Sequence, residues 1–193
     1  MWGAGETVSA SIGQGFNLTT PLQLAVAYGA IANGGRVLRP RLFLGMRDSE
    51  GRSLPGPAPE TRSTVPVSEK NLALLRDALT AVVEEPRGTG GRARVPGMRV
   101  AGKTGTAQVV HMKHTENLEE DEVPLKYRDH AWFVAFAPAD APQIVVAVLN
   151  EHGGHGGSAA APIAQRVLAR WSAKHTPGAQ LAEVKAEATD VGD

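Results

Sequence analysis

The sequence contains no cysteine, few aromatic residues and no surplus of charge of either sign. Without cysteine the chain can form neither a disulfide bond nor a thiolate nucleophile, and its redox compartment is left open. Its 20 basic and 20 acidic residues balance, so nothing in the total charge points to nucleic acid or to an anionic membrane surface. No apolar run approaches the ~20 residues of a transmembrane helix, and the N-terminus does not resemble a secretory signal.

What is present is enough for one domain, because the chain has 193 residues and 42% of them are hydrophobic. Apolar periodicity, caps and turn residues predict its elements. In chain order these are a strand or extended loop at 7–15, a buried helix at 20–33, a strand at 37–42, an irregular connection at 48–63, a helix at 68–85, a glycine-rich turn at 88–91, a strand at 103–110, a hairpin of strands at 131–136 and 143–149, a helix at 158–171 and a polar, disordered tail at 174–193.

The most informative stretch is residues 100–110, where Lys103, Thr104 and Thr106 interrupt a run of small and β-branched residues. That composition favours a β-strand over a helix. Side chains alternate along a strand, so Thr104 and Thr106 are predicted to share one face, with Lys103 and Gly105 on the other. Gly105 leaves the backbone bare, which suits a strand that holds an extended peptide by main-chain hydrogen bonds.

Two known motifs match this stretch. The Lys-Thr-Gly sequence that begins at Lys103 is the third signature of the penicillin-recognising serine enzymes. Residues 97–104 also satisfy the P-loop pattern G-x-x-x-x-G-K-[ST]. A P-loop needs a helix that starts at the lysine, yet poor helix formers follow Lys103, and the apolar run at 144–149 ends in Asn150 instead of a Walker-B acid. Lys-Thr-Gly is therefore favoured, with a nucleotide-binding P-loop as the alternative.

Charge is unevenly distributed around this stretch. No acid occurs between Pro86 and Thr115, whereas six basic residues do: Arg87, Arg92, Arg94, Arg99, Lys103 and Lys113. A local positive field favours an anionic ligand such as a carboxylate, although arginines of this kind are also common on solvated surfaces. The acidic cluster that follows at 116–122 is interpreted as a solvated loop. His152 and His155 have a spacing seen in metal sites, but no other ligand cluster accompanies them, so neither a metal site nor a cofactor is predicted.

Several stretches together resemble the class B penicillin-binding proteins, and one of them is most similar to the elongation-type members. These stretches are Ile12–Gly15, Thr20–Ala25, Ile31–Gly35, Gly102–Gln108 and Arg128–Pro138. They occur in the family's order between Trp2 and about Trp171, which is far more specific than Lys-Thr-Gly alone. The resemblance implies an α+β fold, a partial serine β-lactamase and D,D-peptidase fold in which helices flank an antiparallel sheet.

The activity that the resemblance implies is that of a D,D-transpeptidase, which cross-links peptidoglycan through an acyl-enzyme and is inhibited by β-lactams. The substrate, a stem peptide ending in D-Ala-D-Ala, lies along the Lys-Thr-Gly strand in that family. By this resemblance Thr104 and Thr106 hold the ligand carboxylate, with Gly105 between them in the binding site. The N–H of Thr106 is an oxyanion-hole donor, and Lys103 contributes positive charge and a proton relay. Asp129 and His130 are assigned a structural role at the entrance of a strand.

The sequence departs from the family in one large respect, because it contains neither Ser-x-x-Lys nor Ser-x-Asn. The family places both motifs upstream of the segments found here. Residues 1–173 are therefore expected to be the C-terminal part of a transpeptidase domain, which lacks the nucleophile needed for an acyl-enzyme. The expected partners are stem peptides, β-lactams and the N-terminal half of the same domain, but not nucleic acid. The parent protein is expected at the bacterial inner membrane, facing outwards. A non-catalytic sensor or interaction fragment of the same fold is the other alternative.

Overall fold

In the computed structural model of the protein, the described residues are 3–15, 17–109 and 122–175. Their helices and strands are, in chain order, α1 (Ala4–Ser11), α2 (Pro21–Ala32), β1 (Arg36–Leu38), β2 (Gly45–Arg47), β3 (Ser53–Pro55), β4 (Thr61–Thr64), α3 (Glu69–Glu84), β5 (Ala101–Ala107), β6 (His130–Ala137), β7 (Ile144–Asn150) and α4 (Ala161–His175). The predicted α+β class is confirmed. Most of the predicted acidic loop and the predicted tail beyond residue 175 lie outside the described residues.

The centre of the fold is an antiparallel sheet with the strand order β5-β6-β7. Thr104 of β5 lies opposite Phe133 of β6, which in turn lies opposite Val148 of β7. β5 is therefore at the side of this sheet, next to the β6–β7 hairpin, as the sequence predicts. Its limits differ from the prediction, since β5 begins at Ala101 and ends at Ala107.

Helices cover both faces of the sheet, as the nearly continuous apolar sequence of β6 predicts. One face carries Phe133 and packs against α4, where Leu168 is fully buried. The other face carries Phe136 and packs against Tyr28 of α2 and Leu79 of α3. Full burial of a large apolar side chain contributes about 1.5–3 kcal/mol, so these contacts hold the sheet between two helical layers.

Two glycines make room for the ring of Phe133. A Cβ placed on Gly102 would lie 2.8 Å from Phe133 Cζ, and one on Gly90 would lie 3.1 Å from Cε2. Any larger residue at either position would have to displace the ring from a fully buried site. The predicted glycine turn at 88–91 thus also has a packing role, and it leads into a 3-10 turn at Gly91–Ala93.

The predicted starts of α2 and α3 are confirmed. Thr20 Oγ1 accepts the N–H of Gln23 at 3.2 Å, and the Gln23 carboxamide oxygen accepts the N–H of Thr20 at 2.8 Å. Ser68 Oγ accepts the N–H of Asn71 at 3.3 Å. These reciprocal and single caps satisfy backbone donors that have no partner within the helix.

The prediction that α2 is a buried helix is wrong in extent. Its buried residues, Ala30 and Ala32, are both near its C-terminal end, whereas Leu22 is 60% exposed. That end lies against β7, where a Cβ on Gly29 would be 3.9 Å from a methyl group of Val145. In the first half of α2, Leu24 and Ala25 are only half-buried, so the periodicity of the sequence overstated how much of the helix is covered.

The prediction of a strand or extended loop at 7–15 is also wrong, because α1 occupies most of this segment. Glu6 fixes the start of the helix, since its carboxylate accepts the N–H of Gly3 at 2.9 Å. The alternation of Thr, Val and Ser suggested a strand, but these residues find no partner strand among the described residues. The following turn is as predicted, with Gly13 and Gly15 both in the left-handed region at φ 78° and 75°.

The predicted connection at 48–63 is more regular than expected. β2 and β3 form an antiparallel hairpin, and β1 pairs with β4 in a second two-stranded sheet. Because β1 ends at Leu38, the strand predicted at 37–42 is much shorter than expected. Asp48 accounts for the hairpin turn, since one carboxylate oxygen accepts the N–H groups of Glu50 and Arg52 at 3.0 and 2.9 Å. Strands of three or four residues are too short to produce a clear alternation in sequence.

The last helix begins with a π-helical turn at Gly156–Ala160, which continues into α4. α4 extends through Lys174 and His175, two residues into the predicted tail. At its end the ring of His175 stacks on that of Trp171 with centroids 4.8 Å apart. The π turn places the loop before α4 over β5, at the functional site.

Candidate functional site

The backbone of β5 turns two carbonyl groups away from the sheet. The Thr106 carbonyl accepts a 2.7 Å hydrogen bond from Gln14 Nε2, and the Thr104 carbonyl accepts one of 2.9 Å from Lys103 Nζ. In a strand the N–H and C=O of one residue point to the same side, and the next residue points to the other. Thr104 and Thr106 therefore direct both backbone groups towards the edge of β5 that has no partner strand within the described residues.

An open cleft of about 470 Å³ lies along this edge. Its walls come from four separate parts of the chain, namely the turn after α1, the glycine turn before β5, β5 itself and the loop before α4. The residues that line it are Ile12, Gln14, Thr89, Lys103, Thr104, Gly105, Thr106, His155, Gly156 and Gly157. The four residues predicted from the Lys-Thr-Gly motif and its following threonine are thus brought together at one cavity.

The side chains of β5 have the predicted arrangement. Directly opposed residues share a face of a sheet, so Thr104 lies on the face of Phe133, while Lys103 lies on the face of Val134. Lys103 is exposed, and its Nζ reaches round to Thr104, 2.9 Å from the carbonyl and 3.4 Å from Oγ1. Within the part of the chain that the structure describes, Lys103 forms no ion pair with a carboxylate. Its charge is therefore available to an anionic ligand.

Thr89 is a site residue that sequence reasoning missed. Its Oγ1 lies 3.0 Å from Thr104 Oγ1, so a hydrogen bond joins the two hydroxyl groups. The glycines around Thr89 predict a turn, but they do not indicate that the threonine between them faces β5. No sequence motif identifies Thr89, because only the folded chain shows that its hydroxyl group lies beside that of Thr104.

The loop before α4 closes one face of β5. A Cβ on Gly156 would lie 2.2 Å from the Trp132 carbonyl oxygen and 2.5 Å from that of Gly105. One on Gly157 would lie 2.6 Å from the carbonyl oxygen of Thr89. The bare backbone of Gly105 is thus approached closely, as predicted, but the neighbour in this structure is the protein's own loop. Gly156 leaves no space for a side chain between that loop and the strand.

The two histidines before α4 differ in position: His152 is hydrogen-bonded to the backbone and to His130, and His155 lines the cleft. His130 Nδ1 accepts the N–H of His152 at 2.9 Å, and His152 Nδ1 lies 3.1 Å from the carbonyl oxygen of Arg128. The rings of His130 and His152 meet edge to face, while His155 lines the cleft. These contacts give His130 a structural position at the first residue of β6. Across the described ranges, no three His, Asp or Glu side chains gather as a metal site would require.

The basic residues near β5 divide between structural and open positions. Arg94 donates to the carbonyls of Val83, Glu84 and Glu85 at 2.7, 3.2 and 2.9 Å, so it caps the C-terminal end of α3. Arg94 is also exposed, as the interpretation of a solvated surface arginine expects, so it combines a surface position with a capping role. Arg99 pairs with Asp140 at 2.7 Å. Among these basic residues, Lys103 lines the cleft itself, and Arg92 lies close to it because it donates to the carbonyl of Ser158 at 3.3 Å.

The P-loop alternative is wrong. Lys103 is the third residue of β5, and its neighbours continue as a strand to Ala107. No helix begins at Lys103, so this stretch lacks the loop-to-helix junction whose backbone amides bind phosphate in a P-loop.

Comparison with known families agrees with this geometry. The family described as penicillin binding protein transpeptidase domain matches residues 2–169, which is most of the chain. The chain belongs to this transpeptidase family. Two curated relatives are the peptidoglycan D,D-transpeptidases MrdA of Acinetobacter baumannii and Haemophilus influenzae, which are 38% and 39% identical to it. The matches cover 88% and 86% of this chain, but only 25% and 26% of those proteins.

Solved structures of penicillin-binding proteins have the same fold. The ceftriaxone acyl-enzyme complex of penicillin-binding protein A from Mycobacterium tuberculosis matches with a TM-score of 0.67 and 32% identity, over 83% of this chain and 34% of that one. Penicillin-binding protein 2 of Pseudomonas aeruginosa matches with a TM-score of 0.63 and 33% identity, over 88% and 33%. The predicted resemblance to elongation-type members is confirmed. The chain spans about a quarter of the length of these curated relatives. None of its described helices is long and apolar enough to cross a membrane.

Proposed function

We propose that this chain supplies the Lys-Thr-Gly wall of the acyl-transfer site of a peptidoglycan D,D-transpeptidase. The observation that carries the proposal is the cleft along β5, where Lys103, Thr104 and Thr106 line one cavity and two backbone carbonyls point away from β6 towards side-chain donors. An unpaired strand edge of this kind binds an extended peptide by adding it to the sheet. The family's ligands, a peptide ending in D-Ala-D-Ala and the β-lactams, suit such an edge.

Each residue of the wall has a distinct proposed role. The hydroxyl groups of Thr104 and Thr106 bind the ligand carboxylate, with the Thr104 hydroxyl oriented by Thr89 at 3.0 Å. Gly105, which has no side chain, leaves the strand backbone between them accessible to the ligand. The N–H of Thr106 donates to the oxygen that becomes negative in the transition state, an interaction worth about 3 kcal/mol in related acyl transfer. Lys103 adds a positive charge beside the reacting centre and takes part in proton relay.

The reaction itself needs a nucleophile from outside this sequence. A serine Oγ attacks the carbonyl carbon of the penultimate D-alanine, the peptide C–N bond breaks, and the leaving D-alanine takes a proton. The amine nitrogen of a second strand then attacks the acyl carbon, the ester C–O bond to the serine breaks, and the serine oxygen takes up the proton that the amine loses. No serine of this chain has a lysine three positions later. We therefore assign the Ser-x-x-Lys and Ser-x-Asn groups to the rest of the domain, in a protein at the inner membrane whose catalytic domain faces outwards.

Fluorescent penicillin distinguishes this function from that of a sensor or interaction fragment. The 193-residue chain alone should give no covalent label on a denaturing gel, because no attacking oxygen is in place. A protein with a family Ser-x-x-Lys and Ser-x-Asn segment restored upstream should be labelled, and excess unlabelled penicillin should abolish the signal. Labelling of the chain alone that unlabelled penicillin competes away would contradict the assignment of the nucleophile.

The role of Lys103 is tested in the restored protein. Lys103→Ala should remove most of the labelling, because it deletes the charge next to the carboxylate and the relay contact in a partly water-excluded cleft. Lys70→Ala is the matched control, since Lys70 is an exposed lysine at the start of α3, and it should leave labelling unchanged. Full labelling of the Lys103→Ala protein would show that β5 does not form the wall of the reacting site.

A further inference from the structure

The backbone of Gln14 is fixed by a turn, which sets the direction of its side chain. Its N–H donates to the carbonyl of Ser9 at 2.9 Å, and its own carbonyl accepts from Asn17 Nδ2 at 3.3 Å. Gly13 and Gly15 on either side have φ values of 78° and 75°, which other residues adopt only with strain. The chain thus reverses sharply on both sides of Gln14 and directs it at the cleft.

The side chain of Gln14 ends on the edge of β5. Its Nε2 lies 2.7 Å from the Thr106 carbonyl oxygen, across a sequence separation of 92 residues. That carbonyl is an edge acceptor, because it points away from β6. In the ligand-free protein the edge of β5 is therefore occupied at Thr106 by a side-chain amide.

A bound peptide needs the same acceptor, an inference that rests on the proposed function. In an antiparallel pair, two opposed residues exchange both of their N–H···O=C bonds. If the penultimate D-alanine places its carbonyl oxygen on the N–H of Thr106, its own N–H must meet the Thr106 carbonyl. That is the atom to which Gln14 is bonded.

We propose that Gln14 competes with the ligand for the Thr106 carbonyl: it occupies this acceptor until a ligand with a correctly placed amide N–H displaces it. A ligand without that N–H either leaves Gln14 in place and loses contact with the strand, or displaces it and leaves a carbonyl without a partner. An unmade hydrogen bond costs more than an exchanged one. Gln14 thus weakens the binding of acyl-amino ligands, which must displace it, whereas a ligand that leaves it in place binds equally well with or without it.

The test is peptide binding to the full 193-residue chain. The probe is diacetyl-L-Lys-D-Ala-D-Ala, compared with the same peptide methylated at the amide nitrogen of its penultimate D-alanine. Gln14→Leu keeps the approximate size and removes the donor, Gln14→Ala removes the side chain, and Gln143→Leu is the control at an exposed glutamine remote from the cleft. Far-UV circular dichroism confirms folding of each, and affinity is followed by titration in NMR spectra.

Gln14→Leu should bind the unmethylated peptide about two- to ten-fold more tightly than the wild-type chain, the range expected when one net hydrogen bond no longer has to be broken. Affinity for the methylated peptide should change by less than two-fold, so the ratio between the peptides should rise. Gln14→Ala should show the same rise even if Gln14→Leu fails to fold, and Gln143→Leu should match wild type. The carbonyl ¹³C shift of Thr106 should also change in either Gln14 variant without ligand.

Two results would overturn the inference alone. Equal affinities of the wild-type and both Gln14 variants for the unmethylated peptide would show that Gln14 does not compete for the carbonyl. A parallel loss of affinity for both peptides would show that Gln14 merely supports the cleft. If neither wild type nor variants bind the unmethylated peptide, the proposed function fails and the inference fails with it.

Discussion

The central sheet and the segment from β1 to β4 are both antiparallel, yet they are held together differently. In the sheet, strands of seven or eight residues carry fully buried side chains such as Phe133 and Phe136. In the peripheral segment, residues 36–64, strands have three or four residues, and Met46 and Leu54 remain 56% and 47% exposed. Ion pairs and turn hydrogen bonds there replace a core. The first region should therefore respond to changes of volume, and the second to changes of charge.

The largest contrast is expected from one substitution made in both regions. Phe133→Ala should lower the free energy of unfolding by about 3–5 kcal/mol, because it leaves a cavity among fully buried neighbours. Phe43→Ala removes a ring that is 47% exposed and should cost below about 1 kcal/mol. Urea denaturation followed by circular dichroism gives both values. Similar losses from the two variants would remove the distinction between the regions.

A second contrast compares two glycines at which an added Cβ would be equally close to a neighbouring atom, one in the central sheet and one in the exposed β2–β3 hairpin. A Cβ on Gly102 would lie 2.8 Å from Phe133 Cζ, and one on Gly45 would lie 2.7 Å from the Leu54 carbonyl oxygen. Gly102→Ala should cost about 1–3 kcal/mol, since the ring has nowhere to go. Gly45→Ala should cost less in the same urea titration, because the exposed β2–β3 hairpin can open locally. A larger loss at Gly45 would mean that the hairpin is as rigid as the sheet.

Two arginines extend the contrast to polar contacts. Arg94→Met removes three hydrogen bonds to the end of α3 and should cost about 1–2 kcal/mol. Arg39→Met removes an exposed ion pair with Glu60, 3.2 Å long, and should cost at most about 0.5 kcal/mol. Thermal unfolding at low and high salt separates them, since salt should erase only the Arg39 effect. Salt sensitivity of the Arg94 effect would show that this residue acts mainly through its charge and not through its hydrogen bonds.

The smallest effect should be a local response of the β2–β3 hairpin to acid. The Arg52 side chain, with the backbone N–H groups of Arg52 and Glu50, holds the pKa of Asp48 below its usual value. A lowered pKa contributes stability above the unfolded pKa, and this is lost as pH falls through the folded pKa. Amide NMR signals of the hairpin should therefore shift below about pH 4, while those of β6 stay unchanged. Asp48→Asn should abolish this pH-dependent shift of the amide signals. A shift that persists in the variant would come from another group.

The same contrast explains what could be predicted from the sequence. α2, α3 and the β6–β7 hairpin carry long periodic or continuous apolar runs with clear caps, so local rules were sufficient. The peripheral strands are too short to show a period, and α1 looked like a strand because its Thr, Val and Ser residues favour one when taken alone. In α1 a capping hydrogen bond between Glu6 and Gly3 stabilises the helix despite the strand propensity of these residues.

At the candidate site, the sequence could not predict contacts between residues that are far apart along the chain. The strand at Lys103 and the alternation of its side chains follow from neighbouring residues, and both were predicted. The contacts of Thr106 with Gln14 and of Thr104 with Thr89 join residues that are 92 and 15 positions apart. No periodicity links such residues, because the packing of α1 and the glycine turns on the sheet decides which of them meet.

The edge of β5 also bears on how the protein behaves at high concentration. Two carbonyls on the edge of β5 that lacks a partner strand among the described residues could pair with the matching edge of a second molecule, which is the first step of aggregation through β-pairing. The ammonium group of Lys103 and the amide of Gln14 cover these carbonyls in the absence of ligand. Natural sheets often place lysine at exposed edges for this purpose. The groups assigned here to ligand recognition would then also keep separate molecules from joining sheet to sheet.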